Sequence, residues 1–221
     1  MSARVISVST PINTDFGDDL LEYIAFVARV SNPSNQYNKE TAEKLVRYLA
    51  KHRHWSPFEM ANICLEVETT RDIARQLLRH RSFSFQEFSQ RYAEVDSFTI
   101  GEARLQDHEN RQNSIETHDK YLREDWYDMQ KAVAHFCESK YKVALERGIA
   151  KEVARKVLPE GLTNSKLYVN GTLRSWLHYI EVRTHESTQK EHRELALECK
   201  EAIKPYFDID SFTNDSPRTL L

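Results

Sequence analysis

The chain has 221 residues, of which 29% are charged and 40% hydrophobic, with a net charge of −3. That balance is ordinary for a globular protein and long enough for one domain with a sizeable core. It counts against a nucleic-acid-binding domain, which carries a basic bias, and no stretch approaches the roughly 20 apolar residues of a membrane span.

Cys64, Cys137 and Cys199 lie far apart and form no CxxC pair. An odd number of scattered cysteines points to reduced thiols and a cytoplasmic location, or the host cytoplasm for a viral chain. Residues 1–17 lack a long apolar core, so no signal peptide is expected. Glycine is scarce, five in all, and neither GxGxxG nor GxxxxGK[ST] occurs. Any phosphate would be held by side chains and helix ends.

In chain order, Arg4 to Ser9 alternates as a strand, with Val5 and Ser7 on one face and Ile6 and Val8 on the other. Pro11 to Gly17 is a turn. Asp18 and Asp19 open a helix carrying Leu20, Leu21, Ile24, Val27 and Ala28, to about Val30. Ser31 to Asn35 is a loop by composition. A second helix covers Thr41 to His52, with Leu45, Val46 and Leu49 inward. Pro57 ends helical geometry in Lys51 to Glu59. Here His52 and His54, with Glu59 or His80, have three readings: metal ligands, a packed aromatic corner or cofactor contacts. Ile63, Leu65 and Val67 alternate with Cys64, Glu66 and Glu68 as a half-buried strand.

The stretch from Arg71 to Tyr92 holds Arg71, Arg75, Arg79, His80, Arg81 and Arg91. It begins as a helix that Thr69 or Thr70 can cap, with Ile73, Ala74, Leu77 and Leu78 as its apolar side. Arg71, Arg75 and Arg79 then stack at i, i+4, where like charges repel by roughly 0.2–0.5 kcal/mol a pair. Such a stripe suits nearby anions, either carboxylates of the same fold or phosphates of a ligand. From Ser82 the alternation of polar residues with Phe83, Phe85 and Phe88 reads as a partly extended loop presenting hydroxyls, an amide and a carboxylate. The bland alternative is a solvated basic helix and an ordinary loop.

Beyond Tyr92, Val95 and Phe98 suggest another strand, and Glu102 to Asn113 an exposed excursion. Helical spacing runs from Ser114 to Arg147, with Tyr121, Trp126, Met129, Val133, Phe136 and Tyr141 on it and Gly148 as its stop. Ile149 to Leu158 is a short helix halted before Pro159, and Gly161 to Gly171 is loop or irregular. A helix from Leu173 to Arg183 follows, with Arg174 and His178 on one flank. The last helix spans Glu191 to Lys204, before a polar tail from about Asp208. The simplest account is a single α+β domain over residues 1–221, with an antiparallel sheet and several long helices.

Arg79-His80-Arg81, seven intervening residues, then Ser89-Gln90-Arg91-Tyr92 resembles the signature of the flavin-dependent thymidylate synthases. Three further segments are similar to that family: His54-x-Ser56-Pro57-Phe58-Glu59, Val153 to Pro159, and Asn170 to Arg183, within a likeness running from Ala28-Arg29-Val30-Ser31 to about Ala196. The resemblance implies FAD contacts at Ser31, His54, Ser56, Glu59, Arg79, His80, Arg81, Glu87, Thr172, Arg174 and His178. It implies dUMP contacts at Gln76, Arg79, Glu87, Ser89, Gln90, Arg91, Arg155 and Arg183. It also implies that Arg183 is the catalytic residue, touching the uracil edge and favouring its ionised form. The implied reaction converts dUMP to dTMP with 5,10-methylenetetrahydrofolate and NADPH, through FAD, in a homotetramer with shared sites and no resident metal.

The chemistry suits these residues. No cysteine has an arginine- or histidine-rich surround that would activate it. Fixed guanidinium groups can polarise a ring without a nucleophile. Ser89 lacks a base, because its expected helpers are arginines. Two other readings stand beside this one: a nucleic-acid-binding module using Arg71 to Arg91 with stacking phenylalanines, and a metal hydrolase using His52, His54 and His80.

Overall fold

A computed structural model describes residues 1–13 and 15–210. The elements are β1 (Ser2–Val8), α1 (Leu20–Ala28), α2 (Ala42–Lys51), β2 (Asn62–Thr70), α3 (Arg71–Leu77) and β3 (Ser84–Glu87). A hairpin of β4 (Arg104–Gln106) and β5 (Ser114–Glu116) precedes the long α4 (Lys120–Glu146). Then come α5 (Lys151–Ala154), β6 (Asn164–Thr172), α6 (Leu173–Arg183) and α7 (Lys190–Ile203). The polar tail lies outside the described residues from Ser211 onward.

The main sheet has the order β1-β2-β6-β3, and every neighbouring pair is antiparallel. Its helices and antiparallel sheet match the expected α+β class. The central pair, β2 and β6, runs in register from Asn62 opposite Thr172 to Thr70 opposite Asn164. On the inner face Ile63, Leu65 and Val67 meet Leu167 and Val169, all fully buried. α6 lies over them, and Trp176, fully buried, donates its indole N–H to the Ile63 carbonyl at 2.9 Å. On the outer face Glu66 accepts from Arg4 at 2.7 Å and from the Tyr168 hydroxyl at 2.9 Å, so this carboxylate is paired, not buried alone.

Several expectations are corrected. Residues 164–172 form the central strand β6, not a loop. Ser165, Leu167, Val169 and Gly171 do alternate inward, but Asn164, Lys166, Asn170 and Gly171 are poor strand formers. Pairing on both edges overrides that preference. Gly171 is required by packing: a Cβ there would lie 2.2 Å from Phe83 Cδ1. In β1 the register shifts between Val5 and Ser7, so Ile6 is the extra residue of a bulge and points outward. Val5 and Val8 therefore both pack on the core, although alternation puts them on opposite faces.

α3 is shorter than its pattern suggests and ends at Leu77, so Arg79 lies beyond it. Thr70 stands at its N-cap but its hydroxyl accepts no helix N–H, and the first N–H of the helix donates to the Thr163 carbonyl at 2.9 Å. Val95 and Phe98 form no strand, only a single bridge from Phe98 to Thr163. The excursion after Glu102 contains β4, and Ser114 to Glu116 pairs with it as β5, so α4 starts only at Lys120. Gly148, at φ +80°, does end α4 as expected.

Candidate active site

The residues singled out in the sequence fall into three groups. The first stands at the Asn62/Thr172 end of the sheet. Thr172 caps α6, its Oγ1 accepting the Ser175 N–H at 3.2 Å. Two residues on, Arg174 is exposed and pairs with Glu59 of the 3-10 turn Ser56–Met60. His54 and Ser56 are exposed at the start of that turn. His52 and His54 pack around Tyr48, with ring centroids 4.2 and 6.1 Å from it, which is the aromatic-corner reading. Among the described residues no group of three His, Cys, Asp or Glu side chains is placed to hold a metal ion.

The second group joins α3 to α6. Arg183 Nε–H donates to His80 Nε2 at 2.8 Å. His80 therefore carries its proton on Nδ1 and is neutral. Burial, helped by the charges of Arg183 and His178, pushes its pKa down to about 4. Behind it lie Tyr179, 5.0 Å between ring centroids, and His192, 6.3 Å. Gln76 reaches the same place: its Oε1 lies 3.2 Å from His192 Nδ1.

The third group lies toward the Thr70/Asn164 end. Glu87, on β3, faces Arg71 at 3.5 Å and Arg75 at 3.4 Å and accepts from the Ser165 hydroxyl at 3.0 Å. Arg75 also holds Glu160 at 3.0 Å. For Arg71 and Arg75, carboxylates of the same fold are thus the answer to the stripe. Arg91 pairs with Glu152 at 3.1 Å, and Arg155 donates to the Glu152 carbonyl at 3.3 Å. Ser89 Oγ accepts the Arg91 N–H at 3.4 Å, a local turn contact with no base beside it. Gln90 is buried, and its Nε2 has no partner among the described residues.

Arg79 and Arg81 are exposed, and no ion pair holds either among the described residues. Two free guanidinium groups flanking a neutral imidazole are a donor set suited to a phosphate-bearing ligand. Ser31 is exposed in the turn after α1. The first and third groups are separated by much of the length of β6, seven steps from Ser165 to Thr172 or about 24 Å at 3.4 Å per step. Of two surface clefts, of about 560 and 430 Å³, the first is lined by Phe88 and by Ser165, the partner of Glu87, and neither is lined by the FAD or dUMP residues expected from the resemblance.

His192, Tyr179, Gln189, Ser165 and Glu152 join these groups without having been singled out. In sequence His192 is one histidine among polar helix residues. Only the packing of α7 on α6 shows it turned inward. Cys199 is fully buried, and burial raises its thiol pKa, as it does that of half-buried Cys64. Neither is an activated nucleophile.

An antiparallel sheet covered by helices, with Arg79 and Arg81 outside any ion pair among the described residues and the Arg183–His80 pair beside them, defines the class: an α+β protein with an arginine-rich site. Residues 15–207 match the family model described as thymidylate synthase complementing protein. The chain is 50% identical over 202 residues to a probable flavin-dependent thymidylate synthase of Paramecium bursaria Chlorella virus 1, covering 91% of this chain and 93% of that one. It is 44% identical over 209 residues to the flavin-dependent thymidylate synthase of a Synechocystis species, covering 94% and 96%. Among solved structures it is similar to the UMP/dUMP methylase PolB of Streptomyces cacaoi bound with 5-Br dUMP, at a TM-score of 0.80 and 26% identity over 96% of this chain and 94% of that one. The chain belongs to the flavin-dependent thymidylate synthase family.

Proposed function

We propose that this chain is a flavin-dependent thymidylate synthase: it methylates dUMP reductively to dTMP, taking the carbon from 5,10-methylenetetrahydrofolate and the reducing equivalents from NADPH. The observation that carries the site assignment is the Arg183–His80 pair beside unpaired Arg79 and Arg81. FAD, when bound, supplies the hydride chemistry. Arg79, His80 and Arg81 would hold it, with Ser31, His54, Ser56, Glu59, Glu87, Thr172, Arg174 and His178. Gln76, Arg79, Glu87, Ser89, Gln90, Arg91 and Arg155 would hold dUMP.

Arg183 acts on the uracil edge. Its Nε–H is already committed to His80, so the remaining N–H donors point as a fixed fork. A fixed cation favours the ring form that carries negative charge, which makes carbon 5 nucleophilic without a covalent bond to the protein. The pairs Arg91–Glu152 and Arg174–Glu59 are at least one-third exposed on both sides, and such pairs contribute about 0–1 kcal/mol. A ligand phosphate can displace the glutamate at little cost.

The separation of the groups supports a site shared between subunits, the His54, Glu59, Thr172 and Arg174 end of one chain meeting the Glu87 to Arg91 end of another. The exposed apolar residues of α4 give such an assembly its contact surface, and we read it as a homotetramer. Among the described residues no helix is long and apolar enough to cross a membrane, and we assign the enzyme to the cytoplasm.

The test is a visible spectrum of the purified protein, followed in the same cuvette by NADPH with and without dUMP. A flavin spectrum bleached by NADPH at a rate that dUMP alters supports the reading. A colourless protein that takes up no FAD overturns it. Arg183→Ala is expected to keep its flavin and lose dTMP formation by about 100-fold or more, the effect of removing one preorganised electrostatic donor. Unchanged turnover would reject the role.

A further inference from the structure

The orientation of one side-chain amide can be traced along a chain of hydrogen bonds. Arg104, on β4, is only a donor, and it holds Glu191. Glu191, only an acceptor, takes an N–H from Gln189 Nε2 at 3.0 Å. That turns the Gln189 carbonyl oxygen toward Gln76, whose Nε2 donates to it at 2.7 Å. Gln76 Oε1 is left facing inward, 3.2 Å from His192 Nδ1. An oxygen there needs a donor, so His192 carries its proton on Nδ1. His192 is fully buried, and its Nε2 has no partner among the described residues. Burial, with the charges of Arg183 and His80 adding to it, pushes the ring pKa down to about 3, so the imidazole stays neutral.

Gln76 is thereby pinned at both ends. One N–H goes to Gln189, the oxygen goes to His192, and the second N–H of half-buried Gln76 has no partner among the described residues. We propose that His192 is a positioning residue: donating from Nδ1, it fixes the Gln76 amide as a hydrogen-bond donor to an acceptor oxygen of the nucleotide substrate. This rests on the reading that Gln76 touches dUMP.

The expected size follows from one neutral hydrogen bond, about three- to tenfold in affinity. The probe is dUMP itself, titrated calorimetrically into the flavin-loaded enzyme. His192→Leu removes the donor and the orphaned nitrogen together. It is expected to raise the dUMP Kd about three- to tenfold with unchanged flavin content and an unchanged or higher Tm. A merely structural role would lower Tm instead. His192→Asn, which places an amide N–H near the old Nδ1, is expected to return Kd to within about twofold. Gln76→Ala is expected to weaken dUMP by itself, and adding His192→Leu to it is expected to change nothing more.

Wild-type affinity in His192→Leu, or additive losses in the double variant, overturns the proposal while leaving Gln76 as a contact. Wild-type affinity in Gln76→Ala overturns both. If His192→Leu does not fold, exposed Gln189→Ala tests the other pin: a raised Kd at unchanged Tm supports the fixed amide, and an unchanged Kd rejects it.

Discussion

Two helices of this protein have similar apolar patterns and opposite fates. α6 has 11 residues and buries Leu173, Ser175, Trp176, Leu177, Tyr179 and Ile180. α4 has 27 and buries only Gln130, Ala134 and Tyr141. Its Trp126, Met129, Val133 and Phe136 fall at helical spacing yet stand 42–61% exposed. Helical periodicity states that a face is to be covered. It does not say whether the cover comes from the same chain. α6 finds its cover in α7, β6 and the 3-10 turn Ser56–Met60, whereas α4 packs mainly on the short α5 and the turn after it. Under the shared-site proposal a second copy covers α4.

Disrupting the buried helix should have the larger effect on a single chain. Trp176→Ala removes a fully buried indole and its bond to Ile63, and is expected to cost about 3–5 kcal/mol, read as a lowered urea midpoint. The matching change in α4, Val133→Asp with Phe136→Asp, is expected to leave far-UV circular dichroism intact, shift sedimentation to smaller species and abolish turnover. Unchanged sedimentation would break the comparison.

A pH series probes the neutral histidines packed against α6. His80 and His192 have folded-state pKa values of about 4 and 3 against an ordinary 6.5. Below about pH 6.5 the unfolded chain binds protons that the folded chain refuses, so stability falls with pH from there toward 4, with no such effect above 6.5. Melting temperature is expected to drop between pH 6.5 and 5, before carboxylates titrate, and His192→Leu is expected to flatten the drop. The smallest effect is on the outside of α4. Glu138→Ala removes a solvent-screened i, i+4 pair with Lys142 and is expected to leave the urea midpoint almost unchanged.

Legibility followed the range of the interactions. β2 was readable because Ile63, Leu65 and Val67 alternate with Cys64, Glu66 and Glu68, and α6 because Thr172 caps it and the apolar residues recur within a turn. β6 was not, because what makes 164–172 a strand is β2, about a hundred positions earlier, and a phenylalanine lying on Gly171. The candidate site shows the same division. Arg79, His80 and Arg81 could be named from a contiguous motif. That Arg71 and Arg75 are spent on Glu87, or that His192 faces Gln76, depended on elements far away in sequence.

The sequence by itself determined the family, the α+β class, most helices and the residue types of the site, since these rest on local patterns and ordered motifs. The tertiary structure alone decided which arginines are left without an ion pair among the described residues, how the amide of Gln76 is turned, and that Thr172 and Arg174 stand at the opposite end of β6 from Ser165 and its partner Glu87. The physical reason is that hydrogen bonds, ion pairs and burial are settled by distance in space. Here those distances are set by β2 and β6 pairing across the middle of the chain.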